Sequence, residues 1–402
     1  MTDLYQRIAD RARELEPEIA RMLADLVRVP SFTGQEGEVI QVAAKMMAAI
    51  GFDDIRIDGL GNLIGRMGGG PRTLAFDAHL DVVRPGDPGL WRDDPFTPRI
   101  EGGQIWGRGT ADQKGGFAAM LGAATIIKEL GLNREFSLYF TGTVMEEDCD
   151  GLCWKYLVEE ERLQPEMVVL TEPSGLKLAR GQRGRMDIQV RVQGRSCHGS
   201  APERGDNAIY KISRVALELE KLHARLKEGP VLGKGSLCVS QVFFTGPSQC
   251  AVPDSAWVNL DRRLTLGETR ESALAEVREA CTLVCCPEAE VTVPEYREPA
   301  YTGRVYPMDR FFPAWIMPED DPMLAEAVQA YQAVLGREPE VFTWAFSTNG
   351  TTAAGLAGIP CIGLGPGDEA LAHTPNEHCP LEHLSAAAGF YAALVARLNL
   401  LG

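Results

Sequence analysis

The stretch TLAFDAHLDVV (residues 73–83) decides the fold, because an apolar strand ends in it and polar side chains follow at once. Residues 73–78 are mostly apolar and have the length of a buried strand, and His79 and Asp81 come directly after them. The same order, a strand and then acidic or imidazole side chains, recurs along the chain. Further strands are predicted at 136–140, 167–170 and 359–364, followed by Glu146 with Glu147, by Glu172, and by His373.

Amphipathic helices alternate with these strands. An N-terminal segment with helical spacing of apolar residues is closed by Pro30, and Gly51 is the stop signal of the next helix. Strands that alternate with helices are typical of an α/β domain with a mainly parallel sheet and helices on both faces. The later helices are predicted at about residues 36–50, 116–130, 322–335 and 381–400.

The middle of the chain has a different order of elements. Residues 185–293 predict strand, helix, strand, strand, helix and strand, which is the order of a ferredoxin-like α+β domain. The flanking segments, 173–184 and 299–306, contain the Gly and Pro that are expected of hinges. We therefore predict one domain in two parts, residues 1–180 and 301–402, interrupted by an inserted domain at residues 181–300.

The composition excludes several classes of protein. A net charge of −16 over 402 residues argues against nucleic acid or an anionic membrane as a partner, because both need a basic surface. The longest apolar runs are shorter than the roughly 20 residues of a membrane span. The charged N-terminus is unlike a signal peptide, so a cytoplasmic location is expected. The ten cysteines lack CxxC spacing and are expected to be reduced.

Polar groups at several strand ends are expected to converge. Ligand sites of open α/β sheets form in the crevice beyond the carboxyl ends of the strands, and Asp112, which opens a helix, can reach that crevice. Each residue by itself is typical of a helix cap, a surface turn or a satisfied core group. Together, two imidazoles and several carboxylates form a donor set that suits zinc or a related divalent metal.

Six segments carry a family pattern: AHLDVV (78–83), WGRGTADQKGG (106–116), TGTVMEEDCDG (141–151), LTEPS (170–174), GRSCHGSAPERGDNAI (194–209) and HTPNEH (373–378). In this order, and over nearly the whole chain, they resemble the zinc-dependent exopeptidases and deacylases. That family includes glutamate carboxypeptidase, aminoacylase, acetylornithine deacetylase and succinyl-diaminopimelate desuccinylase. The segments NLDRRLTLGET (259–269) and WAFSTNG (344–350) look most like its YgeY branch.

The resemblance implies two divalent metal ions in the two-part domain. Zinc is the first expectation, with cobalt or manganese as alternatives that the same donors accept. His79 and Glu172 are implied to hold one ion, Glu147 and His373 the other, and Asp112 to bridge them.

The resemblance also implies the groups around these ligands. Glu146 matches the general base, and Asp81 matches the carboxylate that orients His79, since metal-bound histidines commonly donate their other ring N–H to a carboxylate. A cis peptide bond between Asp112 and Gln113 is implied as well.

Substrate contacts are expected from both domains. The resemblance implies that His198, in the inserted domain, stabilises an oxyanion across a homodimer formed through that domain. Arg263 is implied to meet a substrate carboxylate. Many family members have Asp where this chain has Thr352, so contacts of that loop cannot be transferred, and Asn349 or Ser347 are candidates for substrate binding.

These residues predict hydrolysis of an amide bond in a small N-acyl amino acid or dipeptide-like substrate by metal-activated water. An aminopeptidase or dipeptidase of the same fold is an alternative, and an aminopeptidase would need an acidic pocket for a free amine. A catalytically silent binding protein is another, although it would have no need of Glu146. A nucleotide-binding enzyme is excluded, because no GxGxxG motif follows a strand.

Overall fold

The computed structural model describes residues 2–399. Eight α-helices lie within this range: Thr2–Val27 (α1), Gly37–Ile50 (α2), Lys114–Leu130 (α3), Leu152–Glu159 (α4), Ala208–Arg225 (α5), Arg270–Leu283 (α6), Pro322–Leu335 (α7) and Leu381–Leu398 (α8). The helices predicted at 36–50, 116–130, 322–335 and 381–400 correspond to α2, α3, α7 and α8. The last residue of the final prediction, residue 400, falls outside the described range.

Nine strands between residues 2 and 399 form the large sheet, whose central strands are parallel. Arg72–His79 pairs in parallel with Phe136–Thr143 on one side and with Met167–Leu170 on the other. Cys361–Gly363 continues the parallel pairing beside Met167–Leu170. The predicted α/β class with a mainly parallel sheet is therefore confirmed. Across the sheet the order is Asp54–Ile57, Leu63–Met67, Phe136–Thr143, Arg72–His79, Met167–Leu170, Cys361–Gly363, Leu178–Gln182 and Trp315–Ile316, with Val341–Trp344 paired to Leu178–Gln182.

The helix α3 fixes the segment that carries Asp112. Its small and apolar residues are buried from Lys114 to Ala124, and α1, α7 and α8 belong to the same hydrophobic core. A Cβ at Gly122 would stand 2.5 Å from Cδ1 of Ile19, so α1 and α3 approach closely only because this residue is glycine. A helix packed this tightly holds its N-terminus, and Asp112 just before it, in one place.

The second sheet has its own hydrophobic core. Its strands run in the order Ser236–Thr245, Ser255–Leu264, Gly184–Gln193 and Glu290–Thr292, all antiparallel. With α5 and α6 they give the β-α-β-β-α-β arrangement that the sequence predicts. Alternate residues of Gly184–Gln193 are buried, as expected of a sheet with one covered face.

The junction between the two sheets is tighter than a hinge. The segment 173–184 contains the buried strand Leu178–Gln182, which belongs to the large sheet and crosses the predicted boundary at residue 180. The second sheet begins two residues later, at Gly184. Beyond residue 300, Phe311–Phe312 also pairs with this sheet. The sequence LARGQ contains polar residues and lacks the apolar pattern of a buried strand. Its strand partners come from distant parts of the chain, so the sequence alone does not predict this strand.

None of the helices in the described part of the chain is both long and apolar enough to cross a membrane. All ten cysteines are unpaired. Burial raises the pKa of the Cys149 and Cys153 thiols above its ordinary value. Burial thus disfavours the thiolate form of both residues.

Replacing Gly363 with alanine is expected to destabilise the large sheet. A Cβ at this position would stand 1.9 Å from Cη2 of Trp344, whose ring is fully buried. Overpacking of this kind lowers the free energy of unfolding by roughly 1–3 kcal/mol. Gly69→Ala is the matched control, because among the described residues no atom outside residues 68–70 lies within 4 Å of its added Cβ. Equal guanidinium unfolding midpoints for the two variants would contradict the expectation.

Candidate metal centre

The ends of three neighbouring parallel strands carry most of the site. His79 is the last residue of the strand Arg72–His79, and Glu146 and Glu147 follow the strand Phe136–Thr143 by three and four residues. Glu172 stands two residues beyond Met167–Leu170. Because these strands are adjacent and parallel, their carboxyl ends lie at one edge of the sheet.

His79 stands among carboxylates. Its Nε2 atom lies 3.0 Å from Oδ1 of Asp112, 3.8 Å from Oε2 of Glu146 and 4.0 Å from Oε1 of Glu172. Its Nδ1 atom lies 2.9 Å from the carbonyl oxygen of Asp81. Hydrogen bonding on the Nδ1 side leaves Nε2 directed into the carboxylate cluster.

His373 approaches the same cluster from the other side. Its Nε2 atom lies 2.9 Å from Oε2 of Glu147 and 3.4 Å from Oδ2 of Asp112. The two oxygens of Asp112 thus face different histidines. His79, Asp112 and Glu172 form one group of potential ligands, and Asp112, Glu147 and His373 form a second, each with its donor atoms within 4.8 Å of one another.

The concentration of buried charge shifts the pKa values of the site. Burial raises the pKa of Glu146 and of Glu172 well above the ordinary value. Burial and the charge of Asp112 raise the pKa of Glu147 to about 7. Hydrogen bonds to Asp112 and Glu147 raise the pKa of His373 to about 10. The shifts show that the carboxylates repel one another and that positive charge is favoured among them.

The donor set fits divalent metal ions. Among the residues that the structure describes, none hydrogen-bonds to Oε1 of Glu147, although this atom is buried. A buried carboxylate oxygen without a partner is costly unless a cation or a proton meets it. Imidazole nitrogens and carboxylate oxygens are ligands that zinc, cobalt and manganese accept. His79 with Glu172, and Glu147 with His373, could each hold one ion, with Asp112 shared.

Asp81 connects two of the strand ends. Its backbone carbonyl contacts His79, and its carboxylate accepts hydrogen bonds from the backbone N–H groups of Glu146 and Glu147 at 3.2 and 3.0 Å. The sequence predicts that this carboxylate orients His79, but its Oδ1 lies 3.5 Å from Nδ1, farther than the carbonyl oxygen. The contacts with Glu146 and Glu147 are not predicted. The peptide bond between Asp112 and Gln113 is cis, as the family resemblance implies.

Glu377 supports the segment that carries Asp112, and sequence reasoning missed it. Its buried side chain accepts hydrogen bonds from the backbone N–H groups of Ala111 and Asp112 at 2.8 and 3.0 Å, and pairs with Arg108 at 2.6 Å. It belongs to HTPNEH, four residues after His373. Its buried environment, which depends on tertiary packing, is what distinguishes it from an ordinary loop glutamate.

A cavity of about 270 Å³ opens beside the cluster. Arg263 lines it, as the resemblance implies, together with Ser347. Arg185, which the sequence analysis does not single out, lines it as well. Arg263 is paired with Asp261 through two hydrogen bonds of 2.8 and 3.0 Å. Of the two candidates near Thr352, Ser347 and Asn349, only Ser347 is among the described residues that line the cavity.

Asn349 does not reach the cavity, which corrects its prediction as a substrate-binding residue. Its side chain is fully buried, donates to Asp77 at 2.8 Å, and accepts from the N–H of Gly151 at 3.0 Å. These bonds connect the loop that carries Asn349 to the large sheet, and they use both the donor and the acceptor of the Asn349 side-chain amide. The sequence could not reveal this, because Asp77 lies in an apolar strand far away in the chain.

His198 is exposed on the second domain, where its Nδ1 atom lies 2.7 Å from Oγ of Ser200. The cavity wall within this chain, as far as residues 2–399 form it, does not include His198. A single chain in this conformation therefore leaves His198 apart from the metal ligands.

The sequence is similar to those of known proteins. The sequence model of Peptidase family M20/M25/M40 matches residues 75–397. The Escherichia coli (strain K12) protein YgeY is 48% identical over 390 residues, which cover 97% of this chain and 96% of that protein. Succinyl-diaminopimelate desuccinylase of Gluconacetobacter diazotrophicus is 31% identical over 391 residues, 93% of this chain and 95% of that enzyme.

The fold is also similar to a solved structure that is described as a dinuclear metal binding peptidase. This is the Bacillus subtilis YXEP protein, with a TM-score of 0.68 and 15% sequence identity. The alignment covers 96% of this chain and 99% of that one.

Proposed function

Since this chain belongs to peptidase family M20/M25/M40 and is a hydrolase of that family, we propose that it cleaves an amide bond in a small N-acyl amino acid or dipeptide-like substrate. One observation carries the proposal. Two groups of metal-ligand type share Asp112, and Glu146 stands beside them at the wall of the same cavity.

Two divalent ions, with zinc as the first choice for this donor set, would supply Lewis-acid polarisation of the scissile carbonyl and a lowered pKa for water. The protein residues hold and orient what reacts there. Asp81 accepts from the backbone N–H of Glu147 and Glu377 from that of Asp112, so these two residues would hold the ions from fixed backbone positions.

Glu146 is proposed as the general base. Its Oε2 atom lies 3.8 Å from Nε2 of His79, close to the first ligand group without belonging to either group. In this position it takes a proton from the attacking water at Oε2 and delivers it to the leaving amine. A carboxylate kept out of the ligand set is free to perform both transfers.

The cavity favours a small substrate that carries a carboxylate. Its volume of about 270 Å³ suits one amino-acid derivative, and Arg263 and Arg185 bring positive charge to its wall. Asp150, an acid of the wall, already lies 3.3 Å from Arg185. Glu369 is a further acid of the wall. The two guanidinium groups, which suit a carboxylate, favour a deacylase or carboxypeptidase over an aminopeptidase.

A hydrolysis screen tests the proposal. Purified protein loaded with zinc, cobalt or manganese is offered N-acyl amino acids, dipeptides and their amidated, carboxylate-free analogues, with metal content measured alongside. We expect hydrolysis of acids over amides. Preference for substrates with a free amine would favour the aminopeptidase alternative, and tight metal binding without hydrolysis of any compound would favour a binding protein.

We also propose that the chain acts as a homodimer formed through the inserted domain. Ser236–Thr245 is the edge strand of the second sheet and exposes Val242 and Phe244, each by more than 60%. Leu217 on the neighbouring helix α5 is equally exposed. An apolar edge strand of this kind is a template for pairing with a second copy about a two-fold axis.

Mixing two inactive variants is expected to restore activity if the dimer shares its sites. His198→Ala removes the oxyanion donor and Glu146→Ala the base, so a heterodimer contains one site with both groups when His198 acts in trans. Subunit exchange is followed by native mass spectrometry, and activity by the best substrate of the screen. Exchange without regained activity would show that His198 does not act across the interface.

A further inference from the structure

The segment that carries Glu146 and Glu147 is held by side chains rather than by a strand or a helix. After the strand Phe136–Thr143 ends, Met145 takes a left-handed conformation, with φ of 63°. A non-glycine residue in this region needs its surroundings to fix it.

Four successive backbone N–H groups of this segment all donate to side-chain oxygens. Val144 donates to Oδ1 of Asn62 at 3.2 Å, and Met145 donates to Oε1 of Glu36 at 3.1 Å. The next two, of Glu146 and Glu147, donate to the two carboxylate oxygens of Asp81. Every N–H that positions the proposed base and its neighbouring ligand therefore depends on three polar side chains.

Glu36 is placed to perform this task. It is the N-cap residue of α2, but its carboxylate makes no cap hydrogen bond to that helix. Its Oε1 accepts instead from Met145 and, at 2.9 Å, from the N–H of Gly34. The side chain is fully buried. Burial of a carboxylate at the start of a helix costs free energy, because the group could remain in water there. Hydrogen bonds from Met145 and Gly34 offset part of this cost.

Residues next to Glu36 in the chain also make hydrogen bonds that support the site. Thr33 donates to Oδ2 of Asp81 at 2.9 Å, and Ser31 donates to the carbonyl of Leu80 at 2.7 Å. The segment SFTGQE (residues 31–36) thus joins the end of the His79 strand to the Met145 turn. The sequence predicts only that a helix begins at about the last residue of this segment, Glu36.

We propose that Glu36 is a positioning residue, which sets Glu146 and Glu147 through the backbone amide of Met145. The inference rests on the proposed function for its effect on turnover. A change in the position of Glu147, a proposed metal ligand, would also alter the geometry of a bound metal ion, and this effect can be measured without a substrate.

The test compares Glu36→Ala and Glu36→Gln with Glu38→Ala, an exposed glutamate of the same helix turn. The alanine variant loses both acceptors, whereas glutamine retains Oε1. We expect Glu36→Ala to lower kcat roughly 10–100-fold with KM changed less than about threefold, as for other residues that orient metal ligands. Glu36→Gln is expected to regain most of this loss, and Glu38→Ala to match the unaltered protein.

The second readout is the visible absorption spectrum of the protein loaded with cobalt. A shift in Glu36→Ala, absent in Glu38→Ala, would show that a ligand has moved. An unchanged spectrum together with unchanged kcat would overturn the inference. If the unaltered protein binds cobalt but hydrolyses nothing, the proposed function fails, and the spectrum still decides whether Glu36 positions Glu147.

Glu36→Leu guards against a folding failure, because it removes the oxygens but fills the volume. If both Glu36→Ala and Glu36→Leu fail to fold while Glu36→Gln folds, Glu36 acts through stability, and the positioning role is rejected.

Discussion

Glu146→Gln is expected to lower kcat by roughly 10²–10⁴-fold while leaving both metal ions bound. Glutamine has nearly the same size, so it fits the wall of the cavity, but it cannot take a proton from water. Because Glu146 belongs to neither ligand group, its amide should leave metal stoichiometry unchanged. Steady-state kinetics and elemental analysis of the same preparation measure the two effects.

Asp148→Asn is the matched control. Asp148 is an exposed acid two residues further along and is absent from both groups of potential ligands found in residues 2–399. We expect it to keep kcat and metal content. Loss of a metal ion from Glu146→Gln, with turnover preserved, would reverse the assignment of base and ligand between Glu146 and Glu147.

Asp112→Ala is expected to remove both metal ions and to lower turnover by at least roughly 10³-fold, since several kcal/mol of charge stabilisation is lost. The two oxygens of Asp112 face His79 and His373, so one substitution damages both ligand groups. Glu172→Ala is the comparison, because Glu172 belongs to one group only.

Native mass spectrometry with increasing zinc separates these cases. Glu172→Ala should retain one tightly bound ion, whereas Asp112→Ala should retain none at the same free zinc concentration. Two ions bound to Asp112→Ala, or equal losses in both variants, would contradict a shared carboxylate.

Most of the cluster of metal-ligand type could be predicted, because His79, Glu147, Glu172 and His373 each follow a strand whose apolar pattern is plain. The fifth member, Asp112, opens a helix instead. TLAFDA and MVVL are short runs that read as buried strands, and parallel pairing then requires His79 and Glu172 to lie at one edge. The roles of individual residues came from the family pattern, which distinguishes Glu146 from Glu147 where local chemistry does not.

The residues that support the cluster could not be predicted. Glu36, Glu377 and Asn349 are polar, and each has the local sequence of a loop or a helix start. Their importance depends on burial and on partners more than a hundred residues away, such as Met145 for Glu36 and Asp77 for Asn349. Periodicity and turn signals describe local structure, so they carry no information about these contacts.

The strand Cys361–Gly363 lies between Met167–Leu170 and Leu178–Gln182 in the large sheet, although it comes near the end of the chain. During synthesis on the ribosome, those two earlier strands cannot complete their pairing until Cys361–Gly363 has been made. At about 5–20 residues per second, roughly 10–40 s pass between synthesis of residue 182 and of residue 361. During that time the inserted domain can fold by itself, since its core is separate. The facing edges of the earlier strands stay unpaired meanwhile, so the nascent protein is open to aggregation longest where its finished sheet is most deeply buried.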